Sequence, residues 1–494
     1  MGLKTFALVI FGGDGDLALR KIFPALYYRL KDGQITDGNR IIAVSKTELD
    51  TESFIALVIE HLNLRIEEIE QPVIDRLVEM TTYICADLNV SGDYKPLKEQ
   101  LDEANLAQSL FYYSTPSFLF GLISRMLHEH DIINKSSKVI LEKPLGLDLK
   151  SFEELNAELT KYFTEAQMYR IDHYLGKETV QNLMVLRFAN HLFELAWNAQ
   201  NIDNIQITVA ESIGVGQRKE FYDSCGALKD MVQNHLLQLL CLVAMEPPAT
   251  LNADNVRDEK LKVLKSLRMY NSKNIGDCSV KGQYARGEVE GVRVGSYQED
   301  IGSYDSTTET FVALKAYVDN WRWAGIPFYL RTGKRLEKRY SEIVINFKKV
   351  PHNVFPAGPQ IDQNQLVIRL QPDEDIELVQ MAKVPGPGGY RYQPVSLKLD
   401  FGASFDKRFP DAYERLLMDV VRGNQTLFMR EDEVRASWKW IKSITNGWAQ
   451  TKQEAQLYKA GSSGPGNAVL DKGHKWYESN RNDDKKDVSQ FNKS

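Results

Sequence analysis

Residues 6–11, Phe-Ala-Leu-Val-Ile-Phe, form an unbroken apolar run, the pattern of a strand buried on both faces of a parallel sheet. Gly12-Gly13-Asp14-Gly15 breaks the run, and helical periodicity follows from Asp16 to Lys31. Strand-like runs recur at 40–44, 81–86, 109–114 and 138–143, with helix-period segments near 51–79, 93–104 and 117–130 between them. Strand and helix in alternation predict an α/β, open, doubly wound parallel sheet. From about residue 190 the pattern turns to period-two runs at 205–210, 342–347, 365–370 and 395–401, with helices near 228–244 and 411–422. These predict a second, β+α domain with a large, mainly antiparallel sheet. Proline and glycine mark 351–359 and 385–389 as surface loops. A Rossmann-like dinucleotide-binding domain is therefore expected over 1–175 and a second domain over 176–477. The polar stretch 478–494, of alternating charge, is expected to be a disordered tail.

Composition narrows the class. Of 494 residues 43% are hydrophobic and 26% charged, which excludes collagenous, disulfide-stapled and wholly disordered chains. The formal charge of −6 argues against nucleic acid or an anionic membrane as the main partner, because phosphate backbones select clustered Lys and Arg. An anionic ligand must therefore meet a local basic site. Cys85, Cys225, Cys241 and Cys278 lie far apart with no Cys-x-x-Cys pair, so neither a zinc site nor a disulfide framework is indicated. The N-terminal apolar run is too short for a signal peptide, and no run reaches the roughly 18 apolar residues of a membrane span. Cytoplasm is the expected compartment.

Gly12-x-x-Gly15-x-x-Ala18 stands between the buried strand and the helix. Small residues there let backbone approach a pyrophosphate, and a helix N-terminus supplies unpaired N–H groups. The loop residues Gly12, Gly13, Asp14, Gly15, Asp16 and Leu17 are the candidate cofactor contacts. After the second strand an acid favours the free ribose hydroxyl of NAD and a cation the 2′-phosphate of NADP. Here Ser45-Lys46-Thr47 precedes any acid. Lys46 thus argues for NADP, whereas Asp14 would repel a 2′-phosphate unless it points away.

Arg170-Ile171-Asp172-His173-Tyr174-Leu175-Gly176-Lys177-Glu178 sets an acid, a base, a phenol and an amine within six positions. A strand ending at Asp172 and a helix starting near Gly176 would place His173, Tyr174 and Lys177 at a mouth that suits phosphate. A solvated loop with a buried Asp172–Arg170 pair is the plainer alternative. His235 falls in line with Met231, Leu239 and Leu242 at helical spacing. It reads either as a satisfied core histidine or as a general base, if a carboxylate fixes its tautomer. The run Arg331 to Arg339 is basic, either a solvated edge or a phosphate site. Glu142-Lys143-Pro144-Leu145-Gly146 ends a strand at a proline, where a cis bond or sharp turn would aim Lys143 at the carboxyl ends of the sheet.

Together, the Gly12 to Ala18 loop, Glu142 to Gly146, Arg170 to Glu178, Asp230 to His235 and Arg331 to Leu336 resemble the glucose-6-phosphate dehydrogenase family, from residue 5 to about Trp476. The resemblance implies a C1 oxidation of glucose 6-phosphate, with His235 as the base and Asp172 as the carboxylate that orients it. It gives His173, Tyr174 and Lys177 to the substrate phosphate, Glu211 and Asp230 to sugar hydroxyls, and Lys334, Arg339 and, more weakly, Gln371 to the substrate side. Lys143 would touch both cofactor and substrate beside the hinge Pro144. The second domain would bind substrate and dimerise through its large sheet, in a homodimer or homotetramer. The family usually has a small hydroxyl or basic residue at position 14 and commonly arginine at 46. Asp14 and Lys46 depart from this, and predict NADP use with NAD also accepted. Two rivals are another NAD(P)-dependent sugar oxidoreductase, such as the glucose-fructose oxidoreductase class, and a silent nicotinamide sensor. Neither has a use for the whole Asp172, Lys177 and His235 set.

Overall fold

Every residue of β1 (Phe6–Phe11) is buried, as an apolar run with no polar alternation requires. The computed structural model describes residues 3–355, 361–387, 389–400 and 408–478. Around β1 lie β2 (Arg40–Ser45), β3 (Thr81–Cys85), β4 (Gln108–Tyr113), β5 (Lys138–Leu141) and β6 (Met168–Ile171). Their order is β6-β5-β4-β1-β2-β3, all parallel. The short strand Phe428–Met429 adds an antiparallel edge beside β6. Strand order reverses between β1 and β4, and ligands of such sheets bind outside the carboxyl ends at that switch. Phe11 stands level with both Val44 and Tyr113, so Gly12, Ser45 and Ser114 emerge together at that rim.

The expected helix from 16 to 31 forms, with a wider π turn at Ala18–Ile22 before the α-helix Phe23–Lys31. The segment 51–79 resolves into two helices, Thr51–Asn63 and Gln71–Met80. Asp50 caps the first by accepting from the Ser53 N–H at 2.8 Å. Pro72 stands in the first turn of the second, where its missing N–H costs nothing.

The second sheet runs Tyr392–Asp400, Asp375–Lys383, Gln365–Gln371, Tyr340–Phe347, Ile202–Ala210, Pro327–Gly333, Phe311–Tyr317, Ser279–Ala285, Gln456–Lys459. It is antiparallel except where Ile202–Ala210 meets Pro327–Gly333 and Ser279–Ala285 meets Gln456–Lys459. At its centre Ile202–Ala210 is buried at all but one position, so both of its faces are covered, whereas Tyr392–Asp400 at one edge has no buried position.

Packing divides the described residues into two units that are each discontinuous: one within 1–195, 228–270 and 402–447, the other within 196–227, 271–401 and 448–478. This differs from a single boundary at 175/176. The helix Leu237–Ala244 is buried throughout and packs on Glu178–Phe188, so both remain with the parallel sheet. Periodicity reports local structure and not which core a helix joins. The tail from 479, Phe401, and positions 356–359 and 388 of the two expected loops lie outside the described residues. No described helix is long and apolar enough to cross a membrane.

Candidate active site

The glycine loop is held against its own sheet. Gly12 N–H donates to the Val44 carbonyl at 2.8 Å, and Ser114 N–H to that of Phe11 at 3.0 Å. Gly12 has φ +77°, and a Cβ there would stand 2.6 Å from the Ser114 carbonyl oxygen. A Cβ on Gly13 would stand 2.6 Å from that of Ala43. Only glycine fits either place, and the bare backbone so produced at the head of a helix suits a dinucleotide pyrophosphate. Sequence reasoning missed Ser114 and Thr115, whose buried hydroxyls lack a hydrogen-bond partner. Their position just beyond β4, level with Gly12, was the available signal.

Asp14 is turned toward the exit of β2. Its Oδ2 accepts from the Thr47 hydroxyl at 2.5 Å, and the Tyr83 hydroxyl donates to the Thr47 carbonyl at 2.7 Å. Lys46 stands exposed on the same turn. The carboxylate thus lies on the side where a ribose 2′ group is read in this fold.

The first unit brings together the residues around His235. Leu228–Leu236 is a π-helix carrying Asp230 and His235, continued by the α-helix Leu237–Ala244. π segments occur mostly at functional sites. His235 Nδ1 lies 2.6 Å from Asp172 Oδ1, with both side chains buried. The same oxygen accepts from the Tyr174 N–H at 2.9 Å, while Oδ2 has no hydrogen-bond partner among the described residues. On the other side of the ring, Lys143 Nζ lies 2.9 Å from His235 Nε2 and 3.1 Å from Asp230 Oδ1. An ammonium can only donate, so Nε2 accepts and the ring proton sits on Nδ1, facing Asp172. The Lys143–Pro144 bond is cis. Arg170 does not pair with Asp172: it binds Glu165 at 2.6 Å and Asn156 at 2.8 Å.

Burial is the largest influence on the His235 imidazole and drives its pKa below the usual 6.5; Asp172 opposes and Lys143 adds to the fall. Burial alone would raise Asp172, but the charge and hydrogen bond of His235 reverse it and keep the carboxylate ionised. His173 is pushed well below 6.5 by burial and then by the neighbouring His235. Tyr174 stacks on the His235 ring at 4.5 Å, and His173 meets it edge-on at 4.7 Å. Lys177 Nζ lies 4.5 Å from the centre of the Tyr174 ring, just ahead of the helix Glu178–Phe188. An uncharged imidazole, a cation and a helix N-terminus thus adjoin the base. Asp172, His173 and His235 offer ligand atoms within 4.8 Å of one another, but a cation there would compete with the Asp172–His235 hydrogen bond.

Glu211, Lys334 and Arg339 belong to the second unit. Ala210 and Gly333 are level in adjacent parallel strands, which sets the next residues side by side: Lys334 Nζ lies 2.8 Å from Glu211 Oε2. The Lys334 ammonium also sits 5.0 Å from the Tyr222 ring centre. Arg339 is exposed just before the strand Tyr340–Phe347, and Gln371 donates to the Ser341 hydroxyl at 2.8 Å. The basic run does not act as one patch. Arg331 is buried, with the Tyr340 hydroxyl at 2.7 Å and the Trp476 ring centre at 4.2 Å, so it serves packing.

Two family models match in tandem: "Glucose-6-phosphate dehydrogenase, NAD binding domain" over residues 9–182, and "Glucose-6-phosphate dehydrogenase, C-terminal domain" over 184–477. A glucose-6-phosphate 1-dehydrogenase of Rhizobium meliloti (strain 1021) is 47% identical over 470 residues, 94% of this chain and 96% of that protein. One of Mycolicibacterium smegmatis is 47% identical over 479 residues, 95% and 97% of the two chains. Among solved structures, a glucose-6-phosphate dehydrogenase in complex with its substrate glucose-6-phosphate has a TM-score of 0.89 at 32% identity, over 97% of this chain and 100% of that one. Glucose-6-phosphate 1-dehydrogenase from Mycobacterium avium has a TM-score of 0.81 at 35% identity, over 96% and 99%. With the glycine cradle and the Asp172–His235 pair in place, these matches over nearly its whole length make the chain a member of the glucose-6-phosphate dehydrogenase family.

Proposed function

We propose that this protein oxidises D-glucose 6-phosphate at C1 to 6-phospho-D-glucono-1,5-lactone, the first step of the oxidative pentose phosphate pathway, using NADP and also accepting NAD. The observation that carries the reading is the Asp172–His235–Lys143 line, in which Nε2 is the free-base nitrogen and a fixed carboxylate backs Nδ1. Oxidising a hemiacetal needs one proton acceptor and one hydride acceptor. His235 Nε2 takes the proton of the C1 hydroxyl, and Asp172 stabilises the imidazolium that results. The nicotinamide, when bound, accepts the hydride that leaves C1. Before that, Lys143 Nζ must give up Nε2 to the sugar hydroxyl; Asp230 can keep the ammonium close while it turns. His173, Tyr174 and Lys177 are assigned to the 6-phosphate. Binding that remote dianion holds C1 in place, so its loss lowers kcat as well as affinity.

The assignment of Asp230 to a sugar hydroxyl, and of Glu211, Lys334 and Arg339 to the substrate, rests on matching positions. A homodimer or homotetramer and a cytoplasmic location rest on membership of the family. For the cofactor, Gly12 to Leu17 would cradle the pyrophosphate, Lys46 would attract a 2′-phosphate, and Lys143 and Pro144 would border the nicotinamide. Lysine keeps the charge of the family's arginine without its bidentate geometry. Asp14, tied to Thr47, adds a negative charge that NADP must tolerate.

Nicotinamide absorbance tests both parts. The purified protein, offered glucose 6-phosphate, glucose and galactose 6-phosphate with each cofactor, should turn over efficiently only with glucose 6-phosphate. Asp14→Ser should raise the NADP-to-NAD preference about fivefold, corresponding to roughly 1 kcal/mol for two charges about 4 Å apart in water. No reduction with glucose 6-phosphate would reject the substrate, and an unchanged cofactor ratio would reject the role of Asp14.

A further inference from the structure

Glu142 is the one member of the Glu142-Lys143-Pro144 turn to which the reaction above gives no task, yet it is the most deeply embedded. It follows the buried end of β5 and is 8% exposed. The Tyr112 hydroxyl, from β4, donates to its Oε1 at 2.5 Å. The Tyr413 phenol, from the helix Ala412–Arg422, faces the same carboxyl group closely enough that each shifts the other's titration. Two phenols from elements some 300 residues apart thus converge on one buried group. A carboxyl in the interior is costly unless its hydrogen bonds are met.

What lies beyond the two phenols gives the arrangement its direction. The Tyr413 ring lies parallel to His173, with 12° between the planes and 6.3 Å between centroids. His173 in turn meets His235 edge-on. Along the chain, Glu142 is joined directly to Lys143, whose Nζ reaches Nε2 of the base. A single carboxyl group is therefore connected to the proposed phosphate site through Tyr413 and to the base through the backbone of Lys143.

We propose that Glu142 is a positioning residue for sugar-phosphate oxidation, its buried carboxyl fixing Tyr413 against His173 and anchoring the turn that presents Lys143. This rests on the reading of His173 and Lys143 given under the proposed function. Burial raises the carboxyl pKa to about 7, with Tyr112 and Lys143 opposing.

Glu142→Gln keeps the volume and one acceptor; Tyr413→Phe keeps the ring and removes only the hydroxyl. In each, the KM for glucose 6-phosphate and the inhibition constant of inorganic phosphate should rise together by about tenfold; in Tyr413→Phe, which leaves the Lys143 turn in place, the KM for NADP should stay within about twofold. A purely structural role would not single out phosphate. The proposal is overturned if both variants keep the wild-type inhibition constant for phosphate. It is equally overturned if the NADP constant moves as much in Tyr413→Phe, or if Glu142→Gln changes and Tyr413→Phe does not. Should Glu142→Gln fail to melt cooperatively, Tyr413→Phe decides alone. A wild-type protein that does not oxidise glucose 6-phosphate overturns the proposed function itself, and is recognised before any variant is compared.

Discussion

Replacing His235 with Asn is expected to lower kcat by ~10²–10⁴-fold, the range produced by loss of a positioned general base, while glucose 6-phosphate and cofactor still bind. Nε2 is the one nitrogen of the Asp172–His235 pair available to a substrate proton, because Nδ1 is committed to the carboxylate at 2.6 Å. Asn is the better choice than Ala because its amide can still donate to Asp172. Stranding a buried carboxylate without a partner costs about 3–5 kcal/mol and would mix instability with lost chemistry. Steady-state rates together with calorimetric binding of glucose 6-phosphate separate the two. Wild-type kcat in this variant would remove His235 from the mechanism.

Asp172→Asn is expected to lower kcat by a comparable ~10²–10⁴-fold, for a different reason: the base remains, but nothing fixes its tautomer or stabilises its charged form. The pH profile distinguishes the two. In the wild type burial holds the imidazole below 6.5, Asp172 opposes that fall and Lys143 reinforces it. The base is therefore unprotonated at neutral pH, and the acid limb of kcat/KM lies below pH 6.5. Removing Asp172, the larger of the two carboxylate charges that favour the imidazolium, ahead of Asp230, lowers the His235 pKa further, so the acid limb moves to still lower pH even as the plateau drops. An acid limb that moved upward would mean that Asp172 is not the partner of this histidine.

The parallel sheet was legible because buried strands are continuous apolar runs and a glycine turn punctuates the first. The second sheet was legible from its period-two runs, but not that both faces of Ile202–Ala210 are dry, with the polar Gln206 and Thr208 buried as well. The return of Leu228–Leu236 and Ala412–Arg422 to the first unit was not legible, since a helical period is the same whichever core it faces. For His235, apolar spacing correctly set it among the buried Met231, Leu239 and Leu242. It could not reveal a partner 63 positions away, nor that the segment winds as a π-helix. That pairing came only through family resemblance.

Charge was the least legible property. Arg331 and Arg339 belong to one basic run, yet one is buried under Trp476 and the other exposed. Whether Asp14 pointed toward or away from the second strand was open until Thr47 was seen to hold it. The burial of Glu142 carried no signal in the sequence; only Tyr112 and Tyr413, one on a distant helix, explain how a carboxyl is accommodated inside.

The most direct test of the account is the fate of the hydrogen on C1. Glucose 6-phosphate carrying deuterium at that carbon is oxidised by the wild-type protein, and the reduced nicotinamide is weighed by mass spectrometry. The account predicts one deuterium in the reduced cofactor and none in the solvent, with His235 removing only the hydroxyl proton. Deuterium released to water, or a reduced cofactor without it, would contradict hydride transfer from C1 and with it the role given to His235.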